Sequence, residues 1–346
     1  MTHSTLASHP LCAPSETGSL HVPHLKRSWS RWMAARAGAQ LGHDTDYHRT
    51  MLVLSALGVG LEQTMQYVLH EAPDFAAFED WIVRTAGQPH PATIARIWAL
   101  VLGEPVPREV WELHQAIDAM PPVLSAADLE QWNDQGYVVV QGAVSPTQSA
   151  EAAQVVWDTV GAADDDEASW YAKAPRNIMV QRFQHPAFET NRRSLRIHKA
   201  FAQLWGTADL WRSTDRCGFN VPERPDHLFQ ATGLHWDVSL QQPIPFCTQG
   251  ILYLTDTPPE QGALRVVPRF QHSVGDWLSS LPSGADPRSQ DLQALGAQRI
   301  GGKAGDLVIW HQALPHGASP NHGKLPRLVQ YINMFTADVP IQSVWL

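Results

Sequence analysis

Cysteine is scarce in this chain, long apolar runs are missing, and positive charge is in deficit. Each shortage excludes a class of protein. The three cysteines, Cys12, Cys217 and Cys247, are odd in number and far apart. They read as neither a disulfide framework nor a thiolate metal site, which makes a reducing compartment the default. No apolar run approaches the roughly 20 residues needed to cross a bilayer, so no membrane partner is expected. The opening residues have neither a basic region nor an apolar core of the secretory type, and the cytoplasm is the expected address. Acidic residues outnumber basic ones, 34 to 25, for a formal net charge of −9. A nucleic-acid surface needs a basic stripe. The short clusters Lys26-Arg27 with Arg31 and Arg192-Arg193 with Arg196 read instead as solvated faces, and no nucleic-acid partner is expected.

What is present describes a folded chain. A hydrophobic fraction of 44% and a charged fraction of 17% over 346 residues suit one elaborated domain or two modest ones. Residues 1–25, rich in Ser, Thr, Pro and His without periodicity, are expected to form a disordered tail. Residues 26–122 read as a helical extension. Asp74 can cap a helix whose Phe75, Phe78, Trp81 and Ile82 share one face, with Gly87 ending it. Pro91 opens another, striped by Ile94, Ile97, Trp98 and Val101 and closed by Gly103. Pro105, Pro107, Pro121 and Pro122 mark a boundary.

From residue 123 to 346 the pattern changes. Ser125 with Asp128 has the form of a capping box for a short helix that stops at Gly136. Tyr137–Val140 is a compact β-branched strand, and Ser145 with Pro146 opens a helix running to about Val160. Asp164–Glu167 reads as an exposed loop, because consecutive carboxylates point apart and lack calcium-loop spacing. Beyond about 209, short strands alternate with Gly and Pro turns: Gly250–Leu254, Ala263–Val267, Asp306–Trp310 and Arg327–Ile332. This punctuation predicts a sandwich or barrel, with 274–298 as a surface excursion.

The chemistry concentrates in His235-Trp236-Asp237. On a strand, residues i and i+2 share a face, so an imidazole and a carboxylate can converge on one cation. A third ligand from elsewhere completes a facial triad with open positions on iron(II). Alone the spacing is weak: with 17 histidines, one chance His-x-Asp is expected. His316 follows the strand ending at Trp310, in the turn Leu314-Pro315-His316-Gly317. Eleven residues on, Arg327 begins another apolar strand. A buried Arg needs an anion, and its planar fork suits a carboxylate. A protein carboxylate or a small dicarboxylic acid would each serve.

Taken in order, these residues resemble the phytanoyl-CoA dioxygenase-like branch of the iron(II)/2-oxoglutarate oxygenases. The likeness covers about 123–340. It runs from Leu129–Gly142 through His235-x-Asp237, then Leu254, Asp256, Glu260 and Gly262 leading to Val266-Val267-Pro268. It ends with Gly305–Ile309, His316-Gly317, Asn321 and Arg327. The resemblance implies a mixed α and β chain with a double-stranded β-helix (jelly-roll, cupin-like) core flanked by helices. It implies Fe(II) on His235, Asp237 and His316, the far carboxylate of 2-oxoglutarate on Arg327, and O2 as oxidant of a small-molecule substrate. Asp237 argues for hydroxylation or a related oxidation, since related halogenases lack that carboxylate. The chain departs from the family where Pro268-Arg269-Phe270-Gln271-His272 replaces a Pro-Gly-Ser-His turn. It departs again where Ala318, beside Ser319, stands in place of a Ser.

Two rivals use the same residues. A zinc hydrolase would accept two His and a carboxylate, though it leaves Arg327 without a purpose. A non-catalytic jelly-roll binding protein would keep the fold alone. Trp236 is assigned to packing, and His272, His311 and His322 to loop or core. Pocket walls are expected from 170–185 and 212–232, where Arg and Lys are too scattered to spell a coenzyme A site.

Overall fold

The computed structural model describes residues 11–175 and 177–346. They divide into two compact units, one of residues 11–116, 211–214 and 336–343, the other of 117–210, 215–335 and 344–346. The linear division expected at 122–123 therefore falls a few residues earlier, and two later segments return to the first unit.

In the first unit, helices form where caps and stripes coincide. Asp74 accepts a hydrogen bond from the Ala77 amide at 2.8 Å and opens Phe75–Ala86, which Gly87 ends at φ 87°. Phe78 and Ile82 of that stripe are fully buried. Pro91–Leu102 follows, closed by Gly103 in the left-handed conformation.

The disordered tail expected over 1–25 is corrected for its latter half; residues 1–10 lie outside the described residues. Leu20 and Val22 are buried, and so is the carboxylate of Glu79. That carboxylate accepts from the Ser19 amide and hydroxyl at 2.8 Å and from the Leu20 amide at 2.9 Å. A buried polar group needs such partners, so these hydrogen bonds tie the stretch down. His24, also buried, starts the helix Leu25–Arg36 and meets the Thr50 hydroxyl at 3.2 Å.

The second unit is mixed α and β, and its strand pairs among the described residues are antiparallel. Six strands make the larger sheet, in the spatial order Tyr137–Val140, Leu307–His311, Thr248–Tyr253, Arg327–Tyr331, Cys217–Asn220, Met179–Val180. Three make the smaller: Gln298–Ile300, Leu264–Val266, His316–Ala318. Strand alternation sends Val138, Leu252, Ile309 and Phe219 to one face of the larger sheet, against Val156, Phe188 and Phe201 of the helices. Ile251, Tyr253, Val308, Trp310 and Val329 point the other way, into a core shared with Leu264, Val266 and Ile300 of the smaller sheet. Each wholly buried Leu, Ile, Val or Phe contributes about 1.5–3 kcal/mol, so both faces of the larger sheet are fixed by burial.

Ser125 and Asp128 form the reciprocal capping box, and Ser145 caps Pro146–Val160. Asp164, Asp165 and Asp166 form an exposed loop as expected, and Asp166 caps the short helix Glu167–Ala172 that follows. One local reading changes. The stretch 274–298 is more than a surface excursion, since it holds the helix Val274–Ser280 and sends Val274 and Leu292 into the core.

Burial holds the His24 imidazole near pKa 4, against the pull of Asp46 and with the help of Arg49 and Arg27. An imidazole kept neutral in the folded chain lets the unfolded chain take up its proton first. Stability should therefore fall as pH drops from 6.5 toward 4, with about 2 kcal/mol lost between pH 7 and 5 from this residue. Urea unfolding of His24→Asn, which tolerates the left-handed backbone, should show a shallower pH slope than the parent. Equal slopes would contradict a neutral, buried His24.

Candidate metal centre

The segment carrying His235 is not a regular strand, contrary to the expectation from its spacing. A single antiparallel bridge joins it to the smaller sheet. The His235 amide donates to the His316 carbonyl at 2.9 Å and the His316 amide donates back at 3.0 Å. His316 itself opens the strand His316–Ala318 and does not sit in a turn. This reciprocal pair sets the two imidazoles side by side, ring centroids 4.8 Å apart.

Each imidazole is turned by a backbone carbonyl. Nδ1 of His235 lies 2.8 Å from the Gly233 oxygen, and Nδ1 of His316 lies 3.1 Å from the Leu314 oxygen. A carbonyl only accepts, so Nδ1 carries a proton and Nε2 is the atom that faces inward, a ligand once its own proton is displaced. Both Nε2 atoms meet Asp237, at 3.5 Å from His235 to Oδ1 and 3.1 Å from His316 to Oδ2. One donor atom from each residue lies within 4.8 Å of the others. Two neutral imidazoles and a carboxylate at such spacing suit a borderline divalent cation. The His316 side chain is 6% exposed and that of Asp237 56%, so one flank is closed and the other open to further ligands.

The charges agree with a cation site. Burial raises the Asp237 carboxyl, but His235 and His316 outweigh it and hold the group far below the usual carboxylate range. Burial lowers His235, and the Asp237 carboxylate with the Gly233 carbonyl reverses this, leaving it raised. A cation between the three would replace the protons they otherwise share.

Sequence reasoning missed Gln249. Its Nε2 donates to Asp237 Oδ2 at 2.6 Å while its Oε1 accepts from the Trp310 indole at 3.0 Å. Such a partner orients a ligating carboxylate. The available signal was a polar residue on the core-facing side of a strand, alternating with Ile251 and Tyr253. Trp236 packs as expected, buried against Phe270 and Trp277 with its indole donating to the Ala313 carbonyl at 2.9 Å. His311 packs on Trp132 and Phe246, His272 meets the Asn133 carbonyl and His322 meets Glu223.

Arg327 is 1% exposed at the start of Arg327–Tyr331, opposite Asn220. It shares the core-facing side of that strand with Val329, beside Gly218, where a Cβ would come within 3.7 Å of its Nη2. Its Nε and Nη2 have no hydrogen-bond partner among the described residues. Among the described residues no carboxylate forms an ion pair with it. A buried guanidinium with two unmet donors is costly unless an anion joins it.

The phytanoyl-CoA dioxygenase family model matches residues 119–329, more than half of the chain. The chain belongs to that family. A curated phytanoyl-CoA dioxygenase-like protein of Dictyostelium discoideum is 30% identical over 92 residues, which is 25% of this chain and 26% of the relative. The match thus spans about a quarter of that protein. Among solved structures, the GlcNAc-inducible protein GIG2 of Candida albicans aligns with a TM-score of 0.50 at 15% identity, covering 65% of this chain and 69% of its own. That likeness is one of fold. The carbocyclase SnoK of nogalamycin biosynthesis, a non-heme α-ketoglutarate-dependent enzyme, aligns at 18% identity with a TM-score of 0.44, over 63% of this chain and 88% of its own.

The bridge leaves little room at Gly317. A Cβ there would lie 2.7 Å from the Gly233 carbonyl oxygen, the same atom that orients His235. Backbone cannot swing aside as a side chain can, so Gly317→Ala should cost about 1–3 kcal/mol and displace the His235 anchor. Urea unfolding checks this, and a variant as stable as the parent would contradict the close approach.

Proposed function

We propose that this chain is an iron(II)- and 2-oxoglutarate-dependent oxygenase that oxidises a C–H bond of a small organic substrate. In this reading the two facing antiparallel sheets are the double-stranded β-helix of the family, and the helical first unit is an extension to that oxygenase domain. His235, Asp237 and His316 would hold the metal through Nε2, a carboxylate oxygen and Nε2. Arg327 would pair with the far carboxylate of 2-oxoglutarate. The observation that carries the reading is the combination of two inward-facing Nε2 atoms converging with the Asp237 carboxylate and the unmet donors of Arg327.

Iron bound there supplies oxygen activation, coupled to conversion of the oxo-acid into succinate and carbon dioxide. The rest falls to the protein. The Gly233 and Leu314 carbonyls hold the two Nδ1 protons and keep the rings turned inward. Gln249 fixes the Asp237 rotamer. Burial of the guanidinium beside Gly218 and Val329 keeps water from it, and in such surroundings charge-assisted hydrogen bonds are strongest. A zinc hydrolase would accept the same three donors, but it offers no anion for Arg327.

The direct test of function is succinate release from 2-oxoglutarate with iron(II), oxygen and a panel of small molecules. At least one compound should raise release above the uncoupled background, and His235→Ala should abolish it. Release by His235→Ala at the parent's rate would overturn the assignment. A second test concerns Arg327. With manganese(II) in place of iron, 2-oxoglutarate at a hundredfold excess over its Kd should stabilise the parent by about 2.7 kcal/mol. Arg327→Met should be more stable than the parent without ligand, having lost an unpaired buried charge, and should gain nothing from 2-oxoglutarate. An equal gain in both proteins would remove Arg327 from the site.

A further inference from the structure

Asp237 has an unusual anchoring problem. Beyond the bridge at His235 its segment has no strand partner among the described residues, yet a ligand atom must be held to within a fraction of an ångström. The answer lies in the stretch 274–298, away from the ligand residues in sequence. Asp286 caps the short 3-10 helix Pro287–Ser289, accepting from the Arg288 amide at 2.9 Å and the Ser289 hydroxyl at 2.6 Å. This presents the Arg288 guanidinium to the main chain on both sides of Asp237. Nη1 donates to the Trp236 carbonyl at 2.8 Å and Nη2 to the Val238 carbonyl at 2.7 Å.

The guanidinium is itself held in place. Nε and Nη2 donate to the main-chain oxygen of Leu346 at 3.1 and 2.8 Å, and the group lies over the Trp345 ring, 4.7 Å from its centroid. The segment Val344–Leu346 is docked in turn on the residues that follow Asp237. Ser239 Oγ donates to the Val344 carbonyl at 2.7 Å and accepts from the Leu346 amide at 3.1 Å, and the Val344 amide donates to Gln241 Oε1 at 3.0 Å. A rigid planar fork spanning two carbonyls is a task for Arg that Lys cannot copy.

We propose that Arg288 is a positioning residue for the metal-binding carboxylate, fixing Asp237 through the carbonyls of Trp236 and Val238. The inference rests on the metal assignment made above and adds to it the element that sets the ligand's backbone. A charge effect alone predicts the opposite sign. A cation near the carboxylate repels a dication, so removing it would tighten metal binding. A positioning role predicts that removing it weakens binding.

The test is manganese(II) titration of the whole chain, followed by the electron paramagnetic resonance signal of the free ion. The parent should bind and His235→Ala should not; if His235→Ala binds like the parent, the metal assignment itself fails. With that assignment standing, Arg288→Met should bind about 10- to 100-fold more weakly, and Arg288→Lys, which keeps the charge, should recover only a small part. Unchanged or tighter binding by Arg288→Met overturns the positioning role. Trp345→Ala removes the face on which the guanidinium rests without opening the core, since Trp345 is 66% exposed. It should weaken binding a few-fold, and if Arg288→Met fails to fold, unchanged binding by Trp345→Ala overturns the proposal instead.

Discussion

Two backbone hydrogen bonds between His235 and His316 are the constraint on which the rest of the site depends. They join a segment with little regular structure to the edge of a three-stranded sheet, and they bring together residues 81 positions apart. Once that pairing is made, the Gly233 and Leu314 carbonyls need only turn the rings. The inward faces of both imidazoles then meet the carboxylate that follows His235 by two residues. Because main-chain hydrogen bonds set the pairing, side-chain changes around the site can alter its affinity without destroying its layout.

The second constraint is electrostatic. Burying Arg327 with unmet donors costs stability in the ligand-free chain, and proteins keep such a cost where a ligand offsets it. It lies in the core on the same strand face as Val329, near enough to Tyr253 and Tyr331 for its charge to act on their phenols, and in the proposed reading it would give an arriving carboxylate a dry, positively charged seat. Burial pushes the Tyr253 phenol up to about 12, so it stays neutral and does not compete for the guanidinium. Its hydroxyl is already committed, donating to the Ile300 carbonyl and accepting from the Leu264 amide.

Much of the local structure was legible because its causes are local. Asp74, Ser125 and Ser145 announce their helices through side chains that reach amides three residues on, and Gly87, Gly103 and Gly136 mark the ends by the backbone they tolerate. The core strands were legible from β-branched runs, and the candidate metal ligands from the order of motifs shared with a family. What escaped depends on partners distant in sequence. Leu20 and Val22 look like tail residues until Glu79 is placed beside Ser19. The His235 segment reads as a strand, but only one bridge forms. Gln249 and Arg288 gain meaning only when Asp237 stands next to them, and nothing near residue 288 in sequence points to Trp236 or Val238.

The central claim is that three side chains hold iron(II) with room left for a chelating oxo-acid. Anaerobic addition of iron(II) and then 2-oxoglutarate tests it through the visible metal-to-ligand charge-transfer band. The band should appear only when both are present, saturate at one iron per chain, and be lost in Asp237→Ala. A protein that shows no band with both added, or an Asp237→Ala variant that shows the parent's band, would contradict the account.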